Sequence, residues 1–549
     1  MVYSKPASVF AKETNALSNT YITWENKYGA HNINVVGGFR YNYFSFDNSI
    51  LASEYDAALP NDKNPSFGGK YKEVDGANDI WKNMQWYASA DYSYMNKYFA
   101  TVSILAEANS RFGENIDAAF KLAGVQWNVF PSVQLGWVLT NENWFPKNAG
   151  INYLRINAGF DMSGNDDISN YAAHSAFTPV RYNNTEVGAQ LTNIGNDLIK
   201  NETTTKYNIG VQANFLNNRL SVSGDFYLHE TKDLLALKSF KSPVGGINNY
   251  WVNDGKLQNH GYEVIVSGKP VVAKNWNLEL GASIGHYNNE IKSLANGDYT
   301  TSVYGDNNIL TSVGRSVGMF YGYETNGVLS TDAQAKAAGL NDYLYMLDAA
   351  GNKKYFTAGD VQFVDQNGDG CINEADKVVI GDPNPDFYGN IFATLVWKRF
   401  TLNVAFNYSV GNDVFNYERS ILNSGSTLFN QQVAEVGHWR YEGQQTDLPK
   451  VAFGDPMGNN RFSDRWIEDG SYLRLKTVSL AYQIPIPESW ESWLQGISVW
   501  GEAHNLFTVT RYTGNDPEFS VANGQLYQGI DCGMIPQSRS FTLGVKINL

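Results

Sequence analysis

Hydrophobic residues in this chain recur at every second position through segments of about ten residues, the period of a half-exposed β-strand. Tyr207, Ile209, Val211, Ala213 and Phe215 share one face, opposite Asn208, Gly210, Gln212 and Asn214. Leu220, Val222, Gly224, Phe226 and Leu228 oppose Ser221, Ser223, Asp225 and His229. Trp276, Leu278, Leu280, Ala282 and Ile284 stand against Asn277, Glu279, Gly281 and Ser283. The pattern returns at Phe400, Leu402, Val404, Phe406 and Tyr408, and at Phe541, Leu543, Val545, Ile547 and Leu549. Segments of this length suit a strand tilted across a bilayer, with its apolar face on lipid and its polar face on a water-filled lumen.

A soluble β-sandwich gives the same alternation, so the connections decide. Reading back from Leu549 gives about 15 strands, and the links between them alternate between short and long. The short ones fall at Lys27–Asn32, Met95–Lys97, Asn141–Asn152, Leu216–Asn218, Gly268–Asn275, Lys398–Arg399 and Ile484–Gly496. The long ones are Asp47–Asn83, Asn109–Val129, Met162–Thr203, Glu230–Leu257, Asn288–Phe387, Val410–Ser471 and Tyr512–Gln537. Short periplasmic turns and long external loops belong to transmembrane barrels, whereas a Greek-key sandwich has no reason to keep that parity. The fold expected is all-β, an antiparallel transmembrane barrel with long external loops. Trp397 and Phe400 flank one tight turn and Tyr94 and Tyr98 another, where a periplasmic aromatic girdle would sit.

Composition agrees. Aromatics make up 14% of the 549 residues and charged residues 17%, below the roughly 25% charged of soluble domains. The net charge of −14 argues against nucleic acid as a partner. No run of about 18 apolar residues is present for a membrane helix. The start, Met1 to Ala7, lacks an apolar signal core, so a processed or truncated chain is expected. Cys371 and Cys532 are too few and too far apart for a disulfide framework or a zinc site.

Several stretches carry a family resemblance. They are Asn201-Glu-Thr-Thr-Thr-Lys-Tyr-Asn-Ile-Gly210, Asp254-Gly-Lys-Leu-Gln-Asn-His-Gly-Tyr-Glu263 and Val313-Gly-Arg-Ser-Val-Gly-Met-Phe-Tyr-Gly-Tyr323. Gly359 to Gly370, Gly381-Asp-Pro-Asn-Pro-Asp386, Arg465 to Lys476, Asn505-Leu-Phe-Thr508 and Pro536-Gln-Ser-Arg-Ser540 follow in order. Together they resemble the SusC/RagA family of TonB-linked outer-membrane transporters of Bacteroidetes. That resemblance implies a plug, a TonB box and a barrel of about 22 strands. This chain matches the later two-thirds of the barrel, and the plug, TonB box and about seven strands have no counterpart. It implies an outer-membrane importer of glycans or peptides, a SusD-like lipoprotein as lid, and a TonB complex engaged through the missing N-terminal region. Leu549 stands where outer-membrane strands commonly end in Phe.

One loop reads as chemistry. Between Asp365 and Asp376, oxygen donors fall at positions 1, 3, 5, 9 and 12, namely Asp365, Asn367, Asp369, Asn373 and Asp376, with Gly370 at position 6. This is the spacing of an EF-hand calcium loop, with Asp376 in place of the usual Glu. Cys371, at position 7, would give only its backbone carbonyl. The loop lies inside the long external connection 288–387, where Ca2+ would act as a structural clip.

Asn248-Asn249-Tyr250-Trp251 and His438-Trp439-Arg440-Tyr441 mark external loops whose aromatics and amides suit sugars or peptides. Glu468 and Asp469 read as a solvated rim. No HExxH, GxSxG or P-loop pattern occurs, so an enzyme is not expected. The competing readings are a secreted β-rich adhesin or carbohydrate-binding protein, and a truncated fragment without activity.

Overall fold

The computed structural model describes residues 7–54, 70–147, 150–182, 186–244, 247–294, 297–303, 308–342, 353–490, 493–519 and 525–548. Fifteen strands follow one another in chain order along one antiparallel sheet. They are β1 (Ala7–Tyr28), β2 (His31–Glu54), β3 (Lys70–Tyr94), β4 (Tyr98–Asn109), β5 (Val125–Val138), β6 (Ile151–Asn165), β7 (Glu202–Phe215) and β8 (Leu220–Lys232). Then come β9 (Lys256–Ala273), β10 (Trp276–Ser293), β11 (Phe387–Trp397), β12 (Phe400–Val410), β13 (Tyr472–Ile484), β14 (Gly496–Thr510) and β15 (Ser540–Asn548). The short-long parity of the links is present along this order.

The tight turns are built from left-handed residues. Met95 and Asn96 (φ 56° and 53°) close β3 onto β4, and Leu216, Asn217 and Asn218 (φ 53°, 56° and 60°) join β7 to β8. Two successive positive φ angles give the backbone twist that a two-residue hairpin needs, and Asn tolerates that region better than most residues.

The chain divides into two compact units. The first comprises Met1–Phe145, Arg155–Ile209 and His229–Leu257, and the second Pro146–Leu154, Gly210–Leu228 and Gln258–Leu549. In the first, β1 pairs with β2 from Tyr28↔His31 to Ala7↔Ala52, and β2 with β3 as far as Glu54↔Lys70. The strands therefore run on well into the stretch 47–83 that the sequence reads as loop. Beyond the bilayer no lipid enforces alternation, but antiparallel partners still satisfy the backbone. In the second unit β10, β11, β12, β13, β14 and β15 pair in order. The turn between β9 and β10 is shorter than expected, Lys274–Asn275, because β9 continues to Ala273.

The apolar faces point outward. Phe541, Leu543, Val545 and Ile547 of β15 are 57–89% exposed, which water would penalise and lipid rewards. Leu549, the last of that series, lies outside the described residues. Among the described residues β1 and β15 each pair on one side only. Aromatic side chains line the tight-turn ends as expected. Trp397 stacks on Phe400 at 5.7 Å between ring centres, with Trp276 and Tyr482 beside them at 5.6 and 4.6 Å. In the first unit Tyr94, Tyr98 and Trp137 form a similar row at 6.4 Å spacing.

The buried cores lie in the loops. In the second unit Ile309, Phe320, Phe415, Phe462, Trp466 and Ile530 pack together from three different long loops. A neighbouring core joins Tyr323, Leu329, Val361, Phe363, Ile372 and Met457. In the first unit Phe112, Ile116, Ile168, Ala172 and Ile199 close a smaller one.

Candidate functional site

The polar faces of the strands carry ladders of short hydrogen-bonding side chains. On β11, β12 and β13 the Thr394 hydroxyl donates to Asn403 Oδ1 (2.9 Å), whose Nδ2 donates to Ser479 Oγ (3.1 Å). Tyr388 OH donates to Glu263 Oε1 (2.9 Å). The Tyr388 ring lies over Gly285, where a Cβ would come within 2.5 Å of it, so this glycine lets an aromatic ring lie flat along the wall. In the first unit Asp91 accepts from Thr101 Oγ1 (2.7 Å) and Asn34 Nδ2 (3.3 Å).

The external loops of the second unit form a hydrogen-bonded body. Asp360, fully buried, is its hub. Oδ2 accepts from Thr357 N (2.8 Å) and Lys450 Nζ (2.9 Å), and Oδ1 from Asn459 Nδ2 (2.9 Å). Residues 413–416 pair antiparallel with 467–469 and parallel with Ile530–Asp531, tying two long loops together. Tyr512 OH donates to buried Asp531 (2.6 Å), and burial with that carboxylate pushes the phenol well above its ordinary range. Arg474 at the start of β13, 1% exposed, is ion-paired with Asp516 and Glu518. Arg465, half-buried with its guanidinium 4.7 Å from the Trp466 ring, is lowered to about 10 by loss of solvent first and by Arg419 second.

Glu468 is not the solvated rim residue that its position suggests. Its side chain is 9% exposed and accepts from Arg419 (2.8 Å), Asn416 Nδ2 (3.1 Å) and Thr513 N (2.9 Å). Burial would raise its carboxyl, but the Thr513 and Arg419 contacts outweigh it and hold the group below the ordinary range. The sequence misses this because Arg419 and Thr513 are 49 and 45 residues away. Asp469 accepts from Ser471 N (2.9 Å).

The acidic loop folds as a set of side-chain-to-backbone turns. Asp365 accepts from Gly368 N and Gly370 N (both 2.7 Å), Asn367 from Asp369 N (2.9 Å), and Asp369 from Cys371 N (2.7 Å). Gly370 takes φ 77°, as position 6 of such a loop requires. Asn373 accepts from Ala375 N, and its Nδ2 donates to Cys371 O (3.0 Å). Asp376, fully buried, clamps the two ends by accepting from Gln366 N (3.0 Å) and Asn373 N (2.7 Å). Among the described residues no three His, Cys, Asp or Glu side chains converge to hold a metal ion.

Of the external aromatics, Trp439 donates from Nε1 to Ser330 O (3.2 Å) and packs on Gly359, so it belongs to the loop body. His438 and Arg440 bond to the backbone of Glu435 and Val436, leaving Tyr441 exposed. Trp251 packs against the core of the first unit, while the side chains of Asn248 and Asn249 lie outside the described residues. Leu428, Phe429, Val433, Val436 and Phe453 stand 68–90% exposed on the loop body.

Comparison with known proteins bears out the resemblance read from the sequence. Residues 3–506 match the family model described as TonB dependent receptor-like, beta-barrel. TonB-dependent receptor P3 of Formosa agariphila is 28% identical over 98% of this chain and 52% of its own length. TonB-dependent receptor SusC of Bacteroides thetaiotaomicron is 26% identical over 84% of this chain and 43% of its own. Among solved structures, the RagAB peptide transporter superposes with a TM-score of 0.75 at 21% identity, covering 99% of this chain and 56% of that one. The chain thus spans about half the length of the relatives it matches. It belongs to the TonB-dependent receptor-like β-barrel family, as a SusC/RagA-like protein of the outer membrane.

Proposed function

We propose that this chain is barrel wall and external loops of an outer-membrane importer that takes up glycans or peptides with energy delivered through TonB. The observation that carries the reading is the pairing of an outward apolar face with polar side-chain ladders on the other face, the arrangement of a membrane wall around an aqueous path. A SusD-like lipoprotein is the partner, and its seat is the part of the loop body where Leu428, Phe429, Val433, Val436 and Phe453 each stand exposed. Side chains so exposed on a well-bonded body mark an interaction surface. The test is uptake by cells making the full-length protein, with and without an intact TonB system, on defined oligosaccharides and oligopeptides. Loss of uptake with TonB supports the reading, and uptake indifferent to TonB defeats it. Leu428→Asp with Phe429→Asp should release the lipoprotein from affinity-purified complex while the barrel stays folded.

A second reading concerns the loop 365–376, which we infer takes one Ca2+ as a structural clip. Support comes from the spacing of Asp365, Asn367, Asp369 and Asn373 and from the left-handed Gly370. Each of these side chains has lone pairs beyond those used by the loop's own N–H groups. Asp376 serves as the clamp of the loop, and Cys371 could add its carbonyl. Asp369→Ala, or a chelator, should make the loop protease-sensitive and leave the strands folded. Equal resistance with and without chelator would remove the ion from the account.

A further inference from the structure

The chain that follows β14 turns back over the polar side of the sheet. β14 and β13 pair out to Thr510↔Tyr472, their external rim. Arg474 is rooted two pairs inside that rim, about 7 Å along the strand, opposite Thr508 of β14 and Asn407 of β12. Asn407 shares a face with Asn403, whose amide belongs to the polar ladder, so Arg474 stands on the polar face too. It is nevertheless 1% exposed. Asp516 accepts from its Nη2, and Glu518 Oε2 lies 3.1 Å from Nη1 and 3.7 Å from Lys476 Nζ. Asp516 Oδ2 also accepts from Gln537 N (2.9 Å), just before β15. The root of this segment is fixed separately, where Thr513 N donates to Glu468 (2.9 Å). Gly514 joins root to latch, the residue type best able to absorb a change of φ and ψ.

Asp360 and Arg474 both tie external segments together, but they are bonded differently. Asp360 meets Thr357 N, Lys450 and Asn459 at 2.8–2.9 Å. Among the described residues Arg474 Nε has no hydrogen-bond partner, and Nη1 meets Glu518 as an ion pair without hydrogen-bond geometry. A guanidinium carries five N–H groups, and burying it with Nε and Nη1 unmet forfeits hydration that opening returns. Glu518 keeps 33% of its side chain exposed, so solvent already reaches the outer edge of the pair. Closed and open positions therefore lie close in free energy, as a moving part requires and a permanent tie does not.

We propose that residues 514–518 are a strap with two positions, closed on Arg474 across the polar face of β13 and open with Arg474, Asp516 and Glu518 each in water. Closed, it shields the wall beside Thr508, and open, it lets a solute from outside reach that wall. Calling such a solute cargo rests on the importer reading, whereas the strap itself does not.

The experiment combines hydrogen exchange and thiol labelling on the full-length protein purified in detergent. Arg474→Met keeps the aliphatic stem and removes the charge. The Gln537 amide should lose protection by about ten- to a hundredfold, the scale of a hydrogen bond to a charged group, while Thr513 at the root and Val404 on the wall keep theirs. Arg474→Lys, which restores a charge, should recover part of the loss. With Cys371 and Cys532 replaced by Ser, Thr508→Cys should react with a charged methanethiosulfonate faster by a similar factor when Arg474→Met is added, and Tyr441→Cys at an unchanged rate. Unchanged protection of Gln537 or unchanged labelling at Thr508 would overturn the strap. Equal loss at Val404 would overturn it too, because that is unfolding and not opening. Glu518→Gln, at the exposed edge of the pair, should move both readouts the same way by less, and covers the case in which Arg474→Met fails to fold. If cells show no TonB-dependent uptake while these responses are seen, the importer reading falls and the strap stands.

Discussion

Asp360→Ala tests whether the external loops of the second unit hold together independently of the strands. The carboxylate is fully buried and serves three segments through Thr357, Lys450 and Asn459. Its removal leaves Asn459 Nδ2, in a 4% exposed residue, without an acceptor, at about 1–3 kcal/mol, while Thr357 is an exposed residue whose N–H regains water. Lys450 is 28% exposed and regains water, so its lost ion pair adds little. The loss is about 1–3 kcal/mol, centred near 2, which raises the open population of the loop body on the order of thirtyfold. Hydrogen exchange on the detergent-purified full-length protein reads this directly. Amides of Leu329, Gly359 and Val361 should lose protection by that order, while those of β11 and β12 keep theirs. Asp360→Asn, which retains one acceptor oxygen, should fall between. Unchanged protection of Val361 in the alanine variant would refute the argument that this carboxylate binds the loops together. Equal loss in β12 would refute the independence of loop body and wall.

Three further outcomes are expected. A cysteine at Asn217, in the tight turn after β7, should resist membrane-impermeant maleimide on intact cells and one at Tyr441, 66% exposed, should label; the reverse would invert the orientation. Glu468 is held below the ordinary carboxylate range, so its contribution to loop stability is present above the unfolded value of about 4.3 and is lost as pH falls through the folded value; Glu468→Gln should erase that acid-side loss in a melting series, and an unchanged acid profile would contradict it. A spanning strand of about ten residues turns about half its N–H and C=O groups to its open side, and each costs several kcal/mol in lipid. With β1 and β15 paired on one side only among the described residues, residues 1–549 alone should therefore fail to give a heat-modifiable band; a compact heat-modifiable species from this chain alone would sink the argument.

The wall was legible in the sequence because lipid imposes a rule that local sequence must obey. Phe541 to Ile547 and Tyr207 to Val211 alternate since a one-residue slip would turn every polar side chain outward. The turns at Met95–Lys97 and Lys398–Arg399 fall where the alternation breaks. The loop bodies obey no such rule. Nothing near Asp360 in the sequence announces Lys450 or Asn459, about 90 and 99 residues away. Glu468 was misread for the same reason. Asn83 and Asn128 fall in stretches that the sequence reads as links, and only the register of β3, β4 and β5 sets Gln85 opposite Glu107 and Glu107 opposite Asn128.

The interweaving of the long loops also sets an order of events. Phe415 and Asn416, after β12, lie parallel to Ile530 and Asp531, just before β15. Thr325, before β11, is held by Asp464, before β13, through Oγ1 at 2.6 Å. Contacts that span 139 residues pay their loop-closure entropy last unless something shortens the path. Strand pairing is that shortcut, since each new hairpin delivers its loop beside the one before. The outer cap must then mature after the final hairpin has docked, and the chain crosses the membrane with its loops still unfolded. In a pulse of hydrogen exchange during refolding, Val404 should become protected before Phe415, and Phe415 no earlier than Val545.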